Sequence, residues 1–229
     1  MDHVFPFRGN ALTARASGSL WWPARRLLVV ADLHLGRSER LARRGGALLP
    51  PSEGIETLDR LAAEVEELEP AHVLCLGDSF DDAACEAGLA PVERERLLVV
   101  MAGRDWIWLA GNHDPAPIAL GGRHLREVRL GPLTFRHAAE AGAACGEVSG
   151  HYHPKARIVL KGRALTRRCF LRDERRVILP AFGAYTGGLW ADHPSLAALM
   201  GAEAVAILSG RPMLTVPVWP GAARMAGSG

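Results

Sequence analysis

The 229-residue sequence holds only four cysteines, and they are scattered along the chain. They stand at Cys75, Cys85, Cys145 and Cys169. No two of them form a Cys-x-x-Cys pair, which argues against a cysteine-ligated zinc site and against a disulfide framework. The first residues also lack the basic region and apolar core of a secretory signal. Because unpaired cysteines are typical of a reducing compartment, the sequence predicts a cytoplasmic location.

Long apolar runs and a strong charge imbalance are also missing. No stretch reaches the roughly 18 apolar residues that a membrane-spanning helix needs, so no membrane association is predicted. The formal net charge is only +2, which excludes no class of partner. With 48% hydrophobic and 23% charged residues, the composition is typical of a soluble globular protein. A chain of this length can bury one substantial core, and we predict a single domain over residues 1–229.

The first half of the chain alternates apolar runs with helical patterns. Buried strands are predicted at Arg26–Ala31, His72–Leu76 and Trp106–Ala110. Helices are predicted from Ser52 to Leu68 and from Pro91 to Gly103, so repeated strand–helix–strand units predict a largely parallel sheet. After residue 120 the segments become short and strand-like, with glycine, proline or charged turns between them. We therefore predict an α/β fold in which a two-sheet β-sandwich is flanked by helices.

Polar residues cluster at the ends of the predicted strands, where ligands and reacting groups collect in open α/β sheets. The clusters are Asp32 and His34, Asp78 and Asp81, Asn112 to Asp114, His137, and His151 and His153. Alternate residues of an extended segment point the same way, so Asp-x-His and His-x-His spacings suit metal ligands. Carboxylates, imidazoles and an amide without thiolates favour Mn²⁺, Fe²⁺ or Zn²⁺. So many ligands exceed what one ion takes and suit two divalent ions about 3.5–4 Å apart.

In chain order the clusters read DLH, GDSFD, GNHD, H and GHYH, over residues 32 to 153. This order resembles that of the calcineurin-like binuclear metallophosphoesterases, whose motifs run DxH, GDxxD, GNH(D/E), H and GHxH. The resemblance implies their αββα fold and a phosphoesterase activity. Within that superfamily the segments VVADLHLG, CLGDSFD, LAGNHD and SGHYHPKA are most similar to bacterial manganese-dependent DNA endonucleases of ligase and helicase repair operons. Members of that clade often carry histidine where this chain carries Asp81.

The resemblance also implies a role for each motif residue. The implied metal ligands are Asp32, His34 and His153 for one ion, Asn112, His137 and His151 for the other, and Asp78 as the bridge between them. His113 is implied to face the substrate as a general acid instead of binding metal. Asp81 matches the superfamily position whose carboxylate holds this histidine in place. Asp114 is interpreted either as a cap of the following turn or as a direct participant.

The chemistry implied by this ligand set is two-metal hydrolysis of a phosphoester. Two divalent ions, Mn²⁺ by resemblance, would neutralise phosphate oxygens and lower the pKa of a water molecule that serves as nucleophile. The leaving oxygen needs a proton, and an imidazole with an ordinary pKa near 6.5 can supply it. That is the role implied for His113.

A basic segment follows GHYH directly. Lys155–Arg176 holds nine Lys and Arg residues against two acidic residues, and it is either a solvated face or a surface that tracks nucleic-acid phosphates. Trp190 is either packed or stacked on a base. The candidate nucleic-acid contacts are Arg163, Arg167 and Arg168, together with Arg37 from a predicted loop at Arg37–Gly46.

The sequence leaves three functions open. The first is a Mn²⁺-dependent phosphodiesterase that cleaves DNA, single-stranded by preference, in repair, with ligase or helicase as partner proteins and a homodimer as its assembly. The second is hydrolysis of small phosphoesters such as nucleotides, which would need a closed pocket instead of an open basic groove. The third is a non-catalytic scaffold, against which the complete set of motif residues argues.

Overall fold

The structure is a computed structural model that describes residues 2–43, 45, 52–82, 84–160 and 162–219. Within these residues the strands form two sheets, one of seven strands and one of eight, and helices cover the outer faces. The two-sheet α/β architecture predicted from the sequence is therefore confirmed. That residues 1–229 form one domain stays a prediction.

The first sheet combines an antiparallel meander with a parallel half. Its strands, in spatial order, are β1 (His3–Phe7), β2 (Asn10–Ala14), β3 (Leu20–Trp22), β4 (Leu27–Val30), β5 (His72–Cys75), β6 (Asp105–Leu109) and β7 (Arg123–Leu125). β1 to β4 pair antiparallel, whereas β4 to β7 pair parallel. β4, β5 and β6 are the three apolar runs of the sequence, and helical crossovers between them impose the parallel direction.

The second sheet is mixed and has a parallel centre. In chain order its strands are β8 (Glu127–Leu130), β9 (Leu133–Arg136), β10 (Glu147–Ser149), β11 (Lys155–Leu160), β12 (Arg163–Arg172), β13 (Arg176–Ile178), β14 (Val205–Leu208) and β15 (Leu214–Pro217). The spatial order is β15-β14-β12-β13-β10-β9-β8, and β11 pairs with β12. β9, β10 and β13 run parallel to one another, and the other pairs are antiparallel.

The helices pack mainly against the first sheet. They are α1 (Arg37–Arg43), α2 (Glu53–Leu68), α3 (Cys85–Gly88), α4 (Pro91–Met101) and α5 (Pro194–Ala197). The apolar stripe of α2, which includes Leu58, Leu61 and Val65, is buried against this sheet together with Trp106. None of the helices in the described ranges combines the length and the apolar character needed to cross a bilayer.

The helix α1 corrects the prediction of a loop over Arg37–Gly46. Two interactions that stabilise this helix were not considered in the sequence prediction. Glu39 and Arg43 form an i,i+4 ion pair at 2.8 Å, and the Ser38 N–H donates to the Glu53 carboxylate at 2.9 Å. The remainder of the predicted loop lies largely outside the described residues.

The main core fills the space between the two sheets. Trp22 and Leu74 of the first sheet pack there with Phe135 and Phe170 of the second, all nearly inaccessible to solvent. Burying a large apolar side chain contributes about 1.5–3 kcal/mol, so this layer holds the sheets together firmly. It also brings the carboxyl ends of strands from both sheets to one edge of the sandwich.

Candidate metal centre

The predicted site residues lie together at the edge where parallel strands of both sheets end. In the first sheet Asp32 follows β4, Asp78 follows β5 and Asn112 follows β6. In the second sheet His137 follows β9 and His151 follows β10. The main-chain N–H of His151 donates to Asp32 Oδ2 at 2.9 Å, which ties the two sheets at this edge.

The first cluster consists of Asp32, His34 and His153, whose ligand atoms all lie within 4.8 Å of one another. The Nε2 atoms of His34 and His153 face each other at 3.4 Å, and His153 Nε2 lies 3.3 Å from Asp32 Oδ1. Burial alone would raise the pKa of Asp32, but the hydrogen bond and charge of His153 hold it below its ordinary value. The carboxylate is therefore ionised, as a metal ligand must be.

The second cluster consists of Asp78, Asn112, His137 and His151. His137 Nε2 lies 2.9 Å from Asn112 Oδ1, 3.1 Å from His151 Nδ1 and 3.5 Å from Asp78 Oδ2. His137 Nδ1 donates to the Leu76 carbonyl at 2.8 Å, so the lone pair on Nε2 faces the cluster. Burial and the neighbouring His137 lower the pKa of His151, which favours the neutral ring that binds metal.

The donor chemistry of both clusters fits divalent metal ions. Ring nitrogens, carboxylate oxygens and an amide oxygen point at one another over short distances, an arrangement that a shared cation would satisfy. The two clusters adjoin, because His137 Nδ1 lies 3.9 Å from Asp32 Oδ1. The grouping matches the division implied by the motifs, whereas metal binding itself and the bridging role of Asp78 stay predictions.

The main chain adopts a strained conformation at most of these ligands. The residues with positive φ include Asp32 (53°), His34 (49°), Asp78 (47°), His151 (71°) and His153 (47°). This left-handed region is sparsely populated by residues other than glycine and costs of order 1–3 kcal/mol at each position. The surrounding hydrogen bonds and packing must therefore hold the loops in the shape that brings the ligands together.

Asp114 braces the two loops that carry Asp78 and Asn112. Its Oδ1 accepts hydrogen bonds from the N–H groups of Asp78 at 2.9 Å and Gly111 at 3.0 Å. Its Oδ2 accepts from Ser79 at 2.7 Å and from the next residue at 3.2 Å. A Cβ on Gly111 would lie only 2.2 Å from the Asp78 nitrogen, so the loops approach too closely for any other residue. Asp114 is thus a buried positioning residue, beyond the turn cap expected from the sequence.

His113 lies beside both clusters with one ring nitrogen fixed, and its ring centroid is 5.2 Å from that of His34. Its Nδ1 bonds to the main-chain carbonyl of Asp81 at 2.8 Å, and a carbonyl can only accept, so Nδ1 carries the hydrogen. The other nitrogen, Nε2, lies 4.0 Å from Asp78 Oδ2. The His113 side chain is 33% exposed.

The expectation that the Asp81 carboxylate holds His113 is wrong. Asp81 Oδ1 instead contacts His34 Nδ1 at 2.8 Å, and Oδ2 accepts from Arg40 Nε. Arg37 Nη1 lies 3.5 Å from the same carboxylate. Burial would raise the pKa of Asp81, but the adjacent His34 ring, Arg40 and Arg37 hold it below its ordinary value. Asp81 therefore positions a ligand of the first cluster, a contact that the short motifs alone do not reveal.

The predicted nucleic-acid contacts on β12 differ in their surroundings. Arg163 is exposed at the start of the strand. The Arg167 guanidinium donates to the Pro212 carbonyl at 2.7 Å, and that of Arg168 donates to the Ala181 carbonyl at 3.0 Å. Whether any of them contacts nucleic acid stays a prediction.

The basic segment Lys155–Arg176 does not form one continuous face in the described residues. Arg172 donates to the main chain of β1, and Arg176 lies 3.2 Å from the buried Glu147 carboxylate. Lys161 lies outside the described residues. Trp190 is 42% exposed, with Lys155 Nζ 4.7 Å from its ring centroid. A local charge sum along the sequence therefore overstates the charge that this segment presents on any one side.

The calcineurin-like phosphoesterase family model matches residues 25–197, which is more than half of the chain. No curated protein sequence matches this chain. Among solved structures it is similar to the Pseudomonas putida nuclease MPE, with 27% identity, a TM-score of 0.73 and coverage of 94% of this chain and 100% of that one.

A conserved uncharacterized protein of Streptococcus pneumoniae, described as a predicted phosphoesterase, matches at 12% identity over 83% of this chain and 94% of that one. Its TM-score of 0.33 is too low for a shared fold to be inferred from it. The family match, the nuclease structure and the His/Asp clusters agree with one another. The chain therefore belongs to the calcineurin-like phosphoesterase family and is a metal-dependent phosphoester hydrolase.

Proposed function

We propose that this hydrolase is a Mn²⁺-dependent phosphodiesterase that cleaves DNA, with a preference for single strands. The observation that carries phosphodiester hydrolysis is the pair of adjoining donor clusters with the partly exposed His113 ring beside them. The choice of DNA is supported by the similarity to the Pseudomonas putida nuclease MPE over nearly the whole chain.

The first and second clusters would each hold one divalent ion, with Asp78 between them. Bound there, the ions supply charge neutralisation of the phosphate oxygens and activation of the attacking water. The absence of thiolates from both clusters favours Mn²⁺ over softer alternatives, and Fe²⁺ or Zn²⁺ are the competing candidates.

His113 would supply the proton for the leaving group. Its Nδ1–H is committed to the Asp81 carbonyl, so a second proton can be carried only on Nε2. From Nε2 that proton passes to the sugar oxygen as the phosphorus–oxygen bond breaks, and the ring returns to its neutral form. A third of the His113 side chain is exposed, which is consistent with contact to a bound substrate.

The proposed setting is DNA repair in the cytoplasm. Ligase or helicase partners and a homodimeric assembly are suggested by the resemblance of the motif segments to the repair-operon clade. Co-purification of a tagged chain with either partner enzyme, and light scattering of the purified protein, would test these two points separately.

The direct test of the activity is an end-labelled single-stranded oligonucleotide incubated with the protein and Mn²⁺. Internal cleavage is expected, faster than cleavage of the matching duplex and faster than hydrolysis of mononucleotides or cyclic nucleotides. Parallel reactions with Zn²⁺, Fe²⁺ and Mg²⁺ rank the metals. Turnover of nucleotides without cleavage of either DNA would contradict the proposal and indicate a small-phosphoester hydrolase.

A matched pair of histidine variants guards against a contaminating nuclease. His113→Ala removes the proposed acid, whereas His72→Ala changes an exposed histidine at the opposite end of the neighbouring strand β5. Cleavage that persists unchanged in His113→Ala would show that the activity does not arise from this site.

A further inference from the structure

Three arginines from distant parts of the chain line one surface cavity of about 340 Å³. Arg60 comes from α2, whereas Arg167 and Arg168 come from β12. The hydroxyl-bearing residues Ser17 and Ser209 complete its polar lining. Arg60 belongs to no motif of the sequence, so this grouping is visible only in the folded chain.

The charges of these arginines are left without neutralisation by their hydrogen bonds. Arg60 Nη2 donates to the Phe182 carbonyl at 2.5 Å, and Arg168 Nη1 donates to the same oxygen at 3.4 Å. Arg167 Nη1 donates to a carbonyl of Pro212 at 2.7 Å. Carbonyl oxygens satisfy the N–H groups but carry no charge, so the cavity keeps a concentration of positive charge.

The carboxylates of α2 that act on Arg60, Glu56 and Glu64, offset its charge only in part. Glu64 is engaged by Arg15 at 2.9 Å and by the Ser19 hydroxyl at 2.8 Å. Glu56, one turn before Arg60, is exposed to solvent. Burial, with the charge of Arg60 as a smaller contribution and that of Glu56 opposing it, lowers the pKa of Arg168 to about 10.

The cavity is connected to the first cluster through a single short segment. Phe182, whose carbonyl receives both arginines, donates its own N–H to the Ala31 carbonyl at 2.7 Å. The next residue, Gly183, donates to the Asp32 carbonyl at 3.1 Å. The segment that receives the arginines therefore also contacts the main chain of Asp32, which places the cavity next to the loop that carries the first cluster.

We propose that the cavity binds a phosphate group of the substrate strand at a linkage other than the one that is hydrolysed. This inference rests on the proposed function and adds a positioning site to it. The planar guanidinium group matches the geometry of a phosphate, and an anion would relieve the repulsion between Arg60 and Arg168. Each such contact also releases counterions, so it should appear in the salt dependence of binding.

The test measures binding of a fluorescent single-stranded oligonucleotide by anisotropy, in a His113→Ala background that retains the metal ligands and slows cleavage. Arg60→Gln and Arg168→Gln are each expected to raise Kd about tenfold or more. The slope of log Kd against log salt should fall by about 0.7, the value for one phosphate contact on a single strand. Arg129→Gln, at a side chain that is 73% exposed on β8, serves as the control.

A second experiment identifies which phosphate of the oligonucleotide binds in the cavity. Oligonucleotides that carry one neutral methylphosphonate at successive positions should lose affinity at a particular linkage, and that loss should disappear in Arg60→Gln. Arg167→Gln provides a further variant if either of the other arginines proves necessary for folding. Equal affinity, salt slope and methylphosphonate profile in all three arginine variants and in the control would overturn the proposal.

The outcomes separate the cavity from the proposed activity. Arginine-dependent binding without cleavage by the wild-type protein would support the cavity and contradict the nuclease function. Cleavage with no effect of the arginine changes would support the function and contradict the cavity. A wild-type protein that binds no single strand would contradict both.

Discussion

In the first cluster the ring of His34 is held by the carboxylate of Asp81, whereas in the second cluster the ring of His137 is held by the carbonyl of Leu76. Both supports leave Nε2 as the ligand atom. The first is a charged side chain that is itself paired with Arg40 of α1, and the second is a main-chain atom. The orientation of His34 therefore depends on the side chains of Asp81 and Arg40, whereas that of His137 depends on the main chain that follows β5.

This difference extends outward through α1. The start of that helix is held by Glu53, whose carboxylate accepts from the Ser38 N–H. Glu53 is buried, and burial, with the charge of Asp81 as a smaller contribution, raises its pKa to about 7. The supports of the first cluster can therefore be changed by protonation and by substitution, and those of His137 cannot.

The largest effect is expected at Asp78, the predicted bridge between the two clusters, because its replacement should weaken both of them. Its Oδ1 accepts from the His113 N–H at 2.9 Å, and its Oδ2 faces His137. Asp78→Asn should abolish binding at both clusters and lower DNA cleavage by more than about a thousandfold, because several kcal/mol of charge stabilisation is lost. Asp105→Asn, at the opposite end of β6, is the control. Activity within tenfold of wild type would show that Asp78 is not a shared ligand.

His113 belongs to neither cluster, so its replacement should separate proton transfer from metal binding. His113→Ala is expected to lower cleavage of DNA by about 100- to 10,000-fold, because the sugar oxygen leaves without a proton. Hydrolysis of bis(p-nitrophenyl) phosphate should fall much less, since the nitrophenolate needs no acid. Metal content should stay at two ions per chain. An equal loss of rate on both substrates would rule out the general-acid role.

Replacement of Asp81 should weaken the first cluster and leave the second cluster unchanged. Asp81→Ala is expected to weaken metal binding at the first cluster by about 10- to 100-fold, as loss of a carboxylate partner of a histidine ligand does elsewhere. The second cluster should keep its affinity. Isothermal titration calorimetry with Mn²⁺ should then resolve one site that binds the ion tightly and one that binds it weakly. Asp81→Asn, which keeps an acceptor for His34, should have an intermediate effect, and equal weakening of both ions would contradict the comparison.

The smallest effect is expected from Glu53, which supports the first cluster only through α1. Since its pKa is raised from 4.5 to about 7, the folded state binds this proton more tightly than the unfolded state. The resulting stability is fully present below the unfolded pKa and is lost as the pH rises through about 7. Glu53→Gln should therefore reduce the fall in the free energy of unfolding between pH 5 and pH 8 by about 1–3 kcal/mol.

Urea unfolding at the two pH values measures this difference directly. Glu66→Gln, on the exposed side of the same helix, should leave the pH dependence as in the wild-type protein. A pH dependence that is identical in both variants would place the proton on another group.

The sequence predicted where the site lies better than it predicted which residues hold the site's side chains in place. Asp32, Asp78 and Asn112 could be placed at strand ends because each directly follows an apolar run, and parallel strands end at a common edge. The partner of Asp81 could not be predicted, because its contacts with His34 and Arg40 join segments about forty residues apart. The three-arginine cavity depends on even longer separations.

The left-handed main chain at the ligands has a consequence for which residues these positions can accept. Among residues other than glycine, asparagine, aspartate and histidine occupy this conformation several times more readily than the rest, and β-branched residues resist it most. The same three side chains are the oxygen and nitrogen donors of both clusters. Each position therefore restricts the residue in two ways, by the donor atom that it needs and by the main-chain conformation that it adopts. Both restrictions favour nearly the same few residue types. Exchange of Asp for Asn at Asp32, or of His for Asn at His151, should therefore preserve the left-handed main chain, whereas Val or Thr there would disturb it even where no metal is bound.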